Sequence, residues 1–325
     1  MTVALFTLGG TIAMAGTGSG GVVSRLTGAD LTAAVPGLAG IPLDVRDVVA
    51  VPSAALAYRQ ILDLVDAAGV AVADGATGVV VTQGTDTLEE TAFLADLVWP
   101  HPEPLVFTGA MRNPTLAGPD GPANLLAAAR VAAAPAARDL GVLVAFNDEV
   151  HAARFVRKTH STSTATFASP NAGPLGHVIE GAVRLLTRPP RHAPLPPVDR
   201  ERLAATRVAL HTVTLDDDPA LLDALTPGLD GLVVASFGVG HVPPDFAPAL
   251  GALAARMPVV LASRTGAGSV LRDTYGAVGS ETDLRRRGLV CGGLLDPYKA
   301  RVLLRMLLAG GADRPAVEAA FTRHG

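Results

Sequence analysis

Short apolar runs alternate along the chain with longer alanine-rich segments, and this pattern restricts the possible folds to a narrow class. The runs are rich in valine and leucine, which is typical of strands buried on both faces. The segments between them carry apolar residues at helical spacing. This alternation predicts a mostly parallel sheet covered by helices. In the first half of the chain we expect strands at Val3–Leu8, Val45–Val51, Gly78–Thr82, Leu105–Thr108 and Val142–Phe146, and helices at Ala55–Ala68, Thr87–Val98 and Pro122–Ala134.

A second series of strands and helices follows a proline-rich segment. Five prolines fall from Thr187 to Pro197, and proline can neither donate to a strand ladder nor sit inside a helix. We therefore expect an N-terminal domain at residues 1–187, a linker at 188–205 and a C-terminal α/β domain at 206–325. In this second series we expect strands at Val208–Val213, Gly231–Ser236, Pro258–Ser263 and Gly288–Cys291, and helices at Ala220–Leu225, Ala247–Arg256, Pro297–Ala309 and Pro315–Phe321.

The net charge and the hydropathy of the chain limit the classes of partner that it can bind. Lys and Arg number 26 against 30 Asp and Glu, a net charge of −4, so no global positive field exists to hold nucleic acid or an anionic membrane. Mean hydropathy is +0.37, yet the apolar runs are much shorter than the roughly 20 residues of a membrane-spanning helix. We expect neither a nucleic-acid nor a membrane partner.

The cysteine content and the first residues bear on the compartment and on metals. Cys291 is the single cysteine and cannot form an internal disulfide or a cysteine-ligated zinc site. Met1–Phe6 has no basic region before an apolar run, so it is interpreted as a first strand and not as a signal peptide. His151 and His160 are not spaced with carboxylates as metal ligands. We expect a cytoplasmic protein without a metal or other cofactor.

The run Gly16–Gly21 contains the spacing G-x-G-x-x-G. A dinucleotide-binding loop places such glycines directly between a strand and a helix. Here Gly9 and Gly10 already end the first strand, and the residues after Gly21 do not begin a helix. The run is interpreted as a flexible loop.

Three segments carry the candidate chemistry. Thr11 follows two glycines at the end of the first strand, and Thr85 and Asp86 follow a second strand; in open α/β sheets these carboxyl ends are where ligands bind. Lys158 lies in a third segment that is dense in hydroxyls. The structural alternatives are a glycine turn, a helix-capping box at residues 86–90 and a solvated lysine. Two hydroxyls, a carboxylate and a lysine together suit acyl transfer without a metal.

These segments resemble the bacterial-type L-asparaginase family, which includes glutaminase-asparaginases, over essentially the whole chain. The resemblance implies a larger N-terminal α/β domain with a mostly parallel sheet and a smaller flavodoxin-like C-terminal domain. It implies a homotetramer, a dimer of intimate dimers, whose active sites lie between the N-terminal domain of one subunit and the C-terminal domain of its partner. It rests on Thr7–Ala13, Val81–Thr91, Phe107–Arg112, Asp120–Leu125, Gly141–Asp148, Lys158–Gly176 and Asp296–Leu304.

The resemblance also implies catalytic roles. Thr11 corresponds to the nucleophile, whose hydroxyl would attack the side-chain amide carbon, release ammonia and leave an acyl-enzyme for water to hydrolyse. Thr85 corresponds to the second threonine and Lys158 to the lysine of a Thr-Lys-Asp triad. Asp86 corresponds to the aspartate that binds the substrate α-ammonium.

Substrate-binding residues follow from the same resemblance. Ser53 corresponds to the serine that contacts the substrate carboxylate. Glu281 corresponds to a glutamate that reaches the ammonium from the neighbouring subunit.

The sequence departs from the family at three points. The family's lid carries a tyrosine, but no tyrosine lies between Thr11 and Ser53; Arg25 or a water is the expected substitute. Ala54 stands where the family has Gln or Glu against the substrate's amino group, which predicts a raised KM for L-asparagine or a different substrate. His241 stands where the family commonly has Asn.

The sequence therefore predicts an amidohydrolase that converts L-asparagine to L-aspartate and ammonia through a threonine acyl-enzyme. Two alternatives stay open. One is the same chemistry on L-glutamine, a D-amino acid amide or a peptide amide; the other is a non-catalytic amino-acid-binding protein on this fold. The joint presence of Thr11, Thr85, Asp86 and Lys158 favours an enzyme, because the fold alone would not require all four.

Overall fold

The computed structural model describes residues 2–15, 23–24 and 27–325. The chain divides into two compact units, Met1–Leu195 and Pro196–Gly325, here called unit 1 and unit 2. The strands of unit 1 are β1 (Thr2–Thr7), β2 (Met14–Ala15), β3 (Val23–Ser24), β4 (Leu43–Asp47), β5 (Ala76–Thr82), β6 (Leu105–Thr108), β7 (Val142–Phe146), β8 (Glu149–Ala152), β9 (Arg157–Lys158), β10 (Phe167–Ala168), β11 (Gly176–Ile179) and β12 (Ala182–Leu185). Its α-helices are α1 (Gly28–Ala33), α2 (Tyr58–Ala73), α3 (Leu88–Asp96) and α4 (Gly121–Ala133).

One large sheet forms the centre of unit 1. Among the described residues its strand order is β12-β11-β8-β7-β6-β5-β1-β4. The strands from β7 to β4 pair in parallel, which confirms the predicted mostly parallel sheet.

An antiparallel edge made of β8, β11 and β12 extends this sheet and was not predicted. Asn147 and Asp148 have φ of 51° and 60° between β7 and β8, and Glu180 and Gly181 have φ of 48° and 80° between β11 and β12. Two consecutive residues with positive φ make the tight turn that suits a twisted hairpin. These turns lack the Asn-Gly pair that most strongly signals a hairpin in a sequence.

The core of unit 1 depends on close packing of α4 against the sheet. Apolar side chains of β5, β6 and β7 lie in one buried cluster with four alanines of α4, Ala127, Ala128, Ala129 and Ala132. A Cβ on Gly78 in β5 would lie 2.0 Å from the carbonyl oxygen of Ala132 in α4. Only glycine allows this approach of helix to strand.

Unit 2 is smaller and contains a parallel sheet in the order β13-β14-β15-β16. This agrees with the predicted smaller α/β domain. Its strands are β13 (Val208–Thr212), β14 (Gly231–Ser236), β15 (Val259–Ser263) and β16 (Val290–Cys291). Its helices are α5 (Arg200–Ala205), α6 (Ala220–Leu225), α7 (Phe246–Ala254), α8 (Glu281–Arg286), α9 (Pro297–Ala309) and α10 (Arg314–His324).

Several expected elements differ in extent from the observed ones. The helix expected at Ala55–Ala68 spans Tyr58–Ala73, and the strand expected at Gly288–Cys291 is limited to Val290–Cys291. Part of the expected linker, Arg200–Ala205, is helical, because the Asp199 side chain accepts the Arg202 N–H as a helix cap. The strand expected at Val45–Val51 ends at Asp47. Beyond Asp47 the backbone N–H groups turn to the carbonyl oxygens of Thr7 and Leu8, so the chain crosses the carboxyl end of β1.

Candidate active site

The first candidate segment lies at the carboxyl end of β1. Gly9 and Gly10 have φ of 86° and 87°, a conformation that L side chains rarely adopt. A Cβ on Gly10 would lie 2.2 Å from the backbone nitrogen of Gly84, so the loop after β1 packs directly on the loop after β5. Thr11 follows immediately. It is half-buried and begins a one-turn 3-10 helix, Thr11–Ala13.

The second candidate segment lies at the carboxyl end of β5. This strand pairs with β1 in a register that sets Thr7 opposite Thr82, so the two strands end at the same level of the sheet. A single 3-10 turn, Thr85–Thr87, then leads into α3. Thr85 is buried, whereas the side chain of Asp86 is 70% exposed. The turn therefore presents one covered hydroxyl and one accessible carboxylate.

Lys158 joins these two side chains. It lies on β9, where it pairs with Phe167 of β10. Its Nζ donates to Oγ1 of Thr85 at 2.9 Å and to Oδ1 of Asp86 at 2.8 Å. The lysine side chain is only 16% exposed. The threonine, lysine and aspartate that the sequence singles out are thus in direct contact.

Ser53 lies next to the same turn. Its Oγ accepts the backbone N–H of Asp86 at 3.2 Å, and its carbonyl oxygen accepts Oγ1–H of Thr87 at 3.0 Å. The segment that crosses the end of β1 brings Ser53 to this position. Ser53 begins a one-turn 3-10 helix, Ser53–Ala55. Ser53 is buried and Ala54 beside it is exposed.

Two contributors to this geometry were not predicted. The Thr87 hydroxyl ties the Ser53 turn to the Thr85–Thr87 turn. Oε2 of Glu89, in the first turn of α3, accepts the backbone N–H of Lys158 at 3.2 Å. In the sequence they belong to two candidate capping pairs, Thr87 with Glu90 and Asp86 with Glu89, and such pairs do not reveal contacts with distant segments. In the structure the Thr87 side chain makes no capping hydrogen bond at the start of α3.

The geometry suits these side chains to two different chemical tasks, proton transfer and binding of a cation. Lys158 can exchange a proton with the Thr85 hydroxyl across a hydrogen bond of ordinary length. The exposed Asp86 carboxylate can accept an ammonium group. The residues that precede Thr11 and Thr85 are in backbone contact, so both hydroxyls belong to the same edge of the sheet.

Glu281 lies in unit 2, at the start of α8, and its side chain is fully buried. Its Oε1 accepts the backbone N–H groups of Thr274 and Tyr275 at 2.8 and 2.7 Å. Burial raises the pKa of this carboxyl, but the backbone hydrogen bonds outweigh burial and hold the pKa below its usual 4.5. The carboxylate therefore holds the loop before α8.

His241 belongs to the same cluster in unit 2. Its Nε2 lies 3.4 Å from Oε2 of Glu281. Its ring meets the Tyr275 ring edge-on, with centroids 4.9 Å apart. The expected roles of Glu281 and His241 toward a substrate stay predictions.

The segment expected to form the lid lies largely outside the described residues. This applies to the glycine run Gly16–Gly21, to Val22 and to Arg25, the expected substitute for the lid tyrosine. At the base of this segment, the backbones of Met14–Ala15 and Val23–Ser24 pair as an antiparallel ladder.

The described ranges hold neither a helix that could cross a bilayer nor a cluster of metal ligands. In those ranges no helix combines the length and the apolar character needed to cross a bilayer. In the same ranges no group of three or more His, Cys, Asp or Glu side chains converges as metal ligands do.

Comparison with known proteins gives matches along nearly the whole chain. The chain is 35% identical to a "Probable L-asparaginase" of Deinococcus radiodurans over 328 residues, which cover 99% of this chain and 97% of that protein. It is 38% identical to "L-asparaginase 2" of Escherichia coli over 259 residues, which cover 77% of this chain and 72% of that protein.

A solved structure has the same fold. The crystal structure described as a probable cytoplasmic L-asparaginase from Campylobacter jejuni matches with a TM-score of 0.87 and 31% identity, covering 99% of both chains. Residues 2–191 match the family description "Asparaginase, N-terminal", and residues 207–321 match "Glutaminase/Asparaginase C-terminal domain". The chain therefore belongs to the bacterial-type L-asparaginase family.

Proposed function

We propose that this protein hydrolyses the side-chain amide of L-asparagine to L-aspartate and ammonia. The observation that carries the proposal is the contact of Lys158 Nζ with both Thr85 Oγ1 and Asp86 Oδ1. This group lies beside the glycine loop that leads to Thr11. Membership of the asparaginase family supports amide hydrolysis, and the names of the relatives support asparagine as the substrate.

In the first step, Oγ of Thr11 bonds to the side-chain amide carbon of the substrate. The carbon–nitrogen bond then breaks, and the nitrogen leaves as ammonia with the proton of the threonine hydroxyl. The ester left on Thr11 is the acyl-enzyme. Backbone N–H groups of the glycine loop are suited to stabilise the oxyanion that forms on the way.

In the second step, water attacks the ester and restores the Thr11 hydroxyl. We assign Thr85 and Lys158 to the removal of the proton from this water. Asp86 receives the α-ammonium of the substrate, and Ser53 contacts its carboxylate. In the expected homotetramer, Glu281 would reach the ammonium from a neighbouring subunit.

L-Glutamine is the second candidate substrate, because the description that matches residues 207–321 names glutaminase as well as asparaginase. Ala54, which is small and exposed beside Ser53, is the feature most suited to alter substrate choice. The cytoplasm is the proposed compartment, in line with the description of the Campylobacter jejuni protein.

The test is ammonia release by the purified protein with L-asparagine, L-glutamine, D-asparagine and a dipeptide amide. We expect turnover of L-asparagine that disappears in Thr11→Ala and in Thr85→Ala. With Thr85→Ala, rapid quenching and intact-mass analysis should detect an aspartyl adduct on Thr11, because deacylation is the step that slows. The control is Thr322→Ala, which removes an exposed hydroxyl on α10.

The outcomes separate the alternatives. Full activity in Thr11→Ala would contradict the nucleophile assignment. Glutamine as the best substrate would replace asparagine in the proposal. A ligand-induced rise in melting temperature without ammonia release from any amide would favour the amino-acid-binding alternative.

A further inference from the structure

Glu89 is a buried carboxylate that the proposed reaction does not use. It is 7% exposed and lies in the first turn of α3, directly after the turn that carries Thr85 and Asp86. Burial of a charged group is costly unless hydrogen bonds or an opposite charge compensate. Its contacts therefore indicate why a carboxylate is present here.

The contacts of Glu89 lead to the strand that carries the lysine. Its Oε2 accepts the backbone N–H of Lys158 at 3.2 Å. Nε of Arg157, which is mostly buried, lies 4.0 Å from the same oxygen. Both partners belong to β9, so one carboxylate holds the two consecutive residues of that strand.

The strand itself is a weak anchor. β9 and β10 pair through only two residues each, Arg157 with Ala168 and Lys158 with Phe167. Beyond them the hairpin is closed by the Thr159 N–H, which donates to the carbonyl oxygen of Thr166. A two-residue ladder leaves the backbone of Lys158 with few constraints. The partly buried hydrogen bond from its N–H to the Glu89 carboxylate, at 3.2 Å, adds a directional one.

The same turn of chain holds both ends of the lysine. Thr85 and Asp86 accept from its Nζ, while Glu89 accepts from its backbone nitrogen. The segment from Thr85 to Glu89 is a 3-10 turn followed by the start of α3, so the spacing between the two contacts is set by rigid local structure. The lysine is thereby held at both ends by one short segment of chain.

We propose that Glu89 is a positioning residue that holds the backbone of Lys158 so that its ammonium reaches Thr85 and Asp86. The catalytic importance of this positioning rests on the proposed function. The contact between Glu89 and Lys158 does not depend on it. A carboxylate near a helix N-terminus also interacts favourably with the helix dipole. A purely stabilising role of that kind would change melting temperature without changing turnover per folded molecule.

The first arm of the test is kinetic and compares Glu89→Ala, Glu89→Gln and Glu89→Asp. The alanine and aspartate variants withdraw the acceptor, whereas the glutamine amide oxygen can still accept the Lys158 N–H. A displacement of about 1 Å at a reacting group can cost roughly 100-fold in rate. We expect kcat to fall about 10- to 100-fold in Glu89→Ala and Glu89→Asp at nearly unchanged KM, with most of the loss recovered in Glu89→Gln.

The matched control is Glu103→Gln. Glu103 is a carboxylate of unit 1 that pairs with Arg138 at 2.6 Å and touches none of the proposed site residues. The control should lower stability slightly and leave kcat unchanged.

The second arm observes the two lysine side chains by NMR and does not require an active enzyme. The chain has two lysines, Lys158 and the fully buried Lys299, so protein labelled with carbon-13 at lysine Cε gives two signals. Lys158→Met removes one and assigns both. In Glu89→Ala the Lys158 signal should shift or broaden while the Lys299 signal stays in place, and in Glu89→Gln it should stay near its wild-type position.

The outcomes are distinct. Unchanged kcat together with an unchanged Lys158 signal in Glu89→Ala would overturn the positioning role. A glutamine variant as impaired as the alanine variant would overturn the hydrogen-bond account. If the alanine variant does not fold, the aspartate and glutamine variants decide the question. A wild-type protein without amidase activity would refute the proposed function, while the lysine signals would still test the contact.

Discussion

Nζ of Lys158 lies 2.9 Å from Oγ1 of Thr85, although 73 residues separate them in the chain. The lysine is mostly buried and also contacts Asp86. One cation thus lies between a buried hydroxyl and an exposed carboxylate at the carboxyl edge of the sheet. This relationship is the basis of the first prediction.

Lys158→Met should reduce ammonia release by about 10²- to 10⁴-fold, the usual contribution of a positioned proton-transfer group. Methionine cannot exchange a proton. Because it has nearly the length of lysine, circular dichroism should report a folded protein. The control is Arg59→Met, which removes an exposed cation paired with Asp63 and should leave turnover unchanged. Activity of Lys158→Met within a few-fold of wild type would contradict the assignment.

Gly10→Ala should destabilise unit 1 and abolish activity. The new Cβ would lie 2.2 Å from the nitrogen of Gly84, at φ of 87°. The positive φ alone costs roughly 1–2 kcal/mol for an L residue, and the overlap adds to that cost. Gly173→Ala separates the two effects, because Gly173 has φ of 71° with open space around its Cβ position. Urea unfolding of both variants measures the difference; equal losses would mean that the two loops are not packed as described.

Ala54→Gln should lower the KM for L-asparagine about tenfold. A hydrogen bond to a charged group is worth about 1.5–3 kcal/mol, and an amide at this position, beside Ser53, restores a partner for the substrate ammonium. Steady-state kinetics with L-asparagine tests the expectation. Ala55→Gln makes the same change at the next exposed position and should leave KM unaltered. A KM that does not respond would place ammonium recognition on other residues.

Glu281→Gln should destabilise unit 2 by about 1–3 kcal/mol at neutral pH, because the charged acceptor of two backbone N–H groups is lost. The folded-state pKa of this carboxyl lies below 4.5. Its stabilising contribution is therefore present above pH 4.5 and is lost as the pH falls through the lowered folded-state pKa. The wild type should lose this component on acidification, and the variant should lack it.

Chemical unfolding at neutral and acidic pH measures this difference for Glu281→Gln. Glu318→Gln, an exposed glutamate on α10, is the control and should change little at either pH. A wild-type and a Glu281→Gln protein with parallel pH profiles would show that the carboxylate does not hold the loop before α8.

Much of the fold was predictable because parallel strands buried on both faces carry a continuous apolar signal. β5 to β7 and β14 agree closely with the sequence-based expectation. The antiparallel edge was missed because β8, β11 and β12 are short and their turns contain Asn147-Asp148 and Glu180-Gly181 in place of a strong turn signal. The helix at Arg200–Ala205 was not expected because it has only six residues and directly follows prolines that are typical of a linker.

The sequence alone determined the fold class, the family and the residue types of the candidate site, since apolar periodicity and short motifs are local properties of the chain. Which side chains meet depends instead on how distant segments pack together. Lys158 reaches Thr85, and Glu89 holds the Lys158 backbone, because adjacent parallel strands end at one level and β9 packs on the first turn of α3. Such contacts between distant segments depend on strand register and helix packing, which no local pattern specifies.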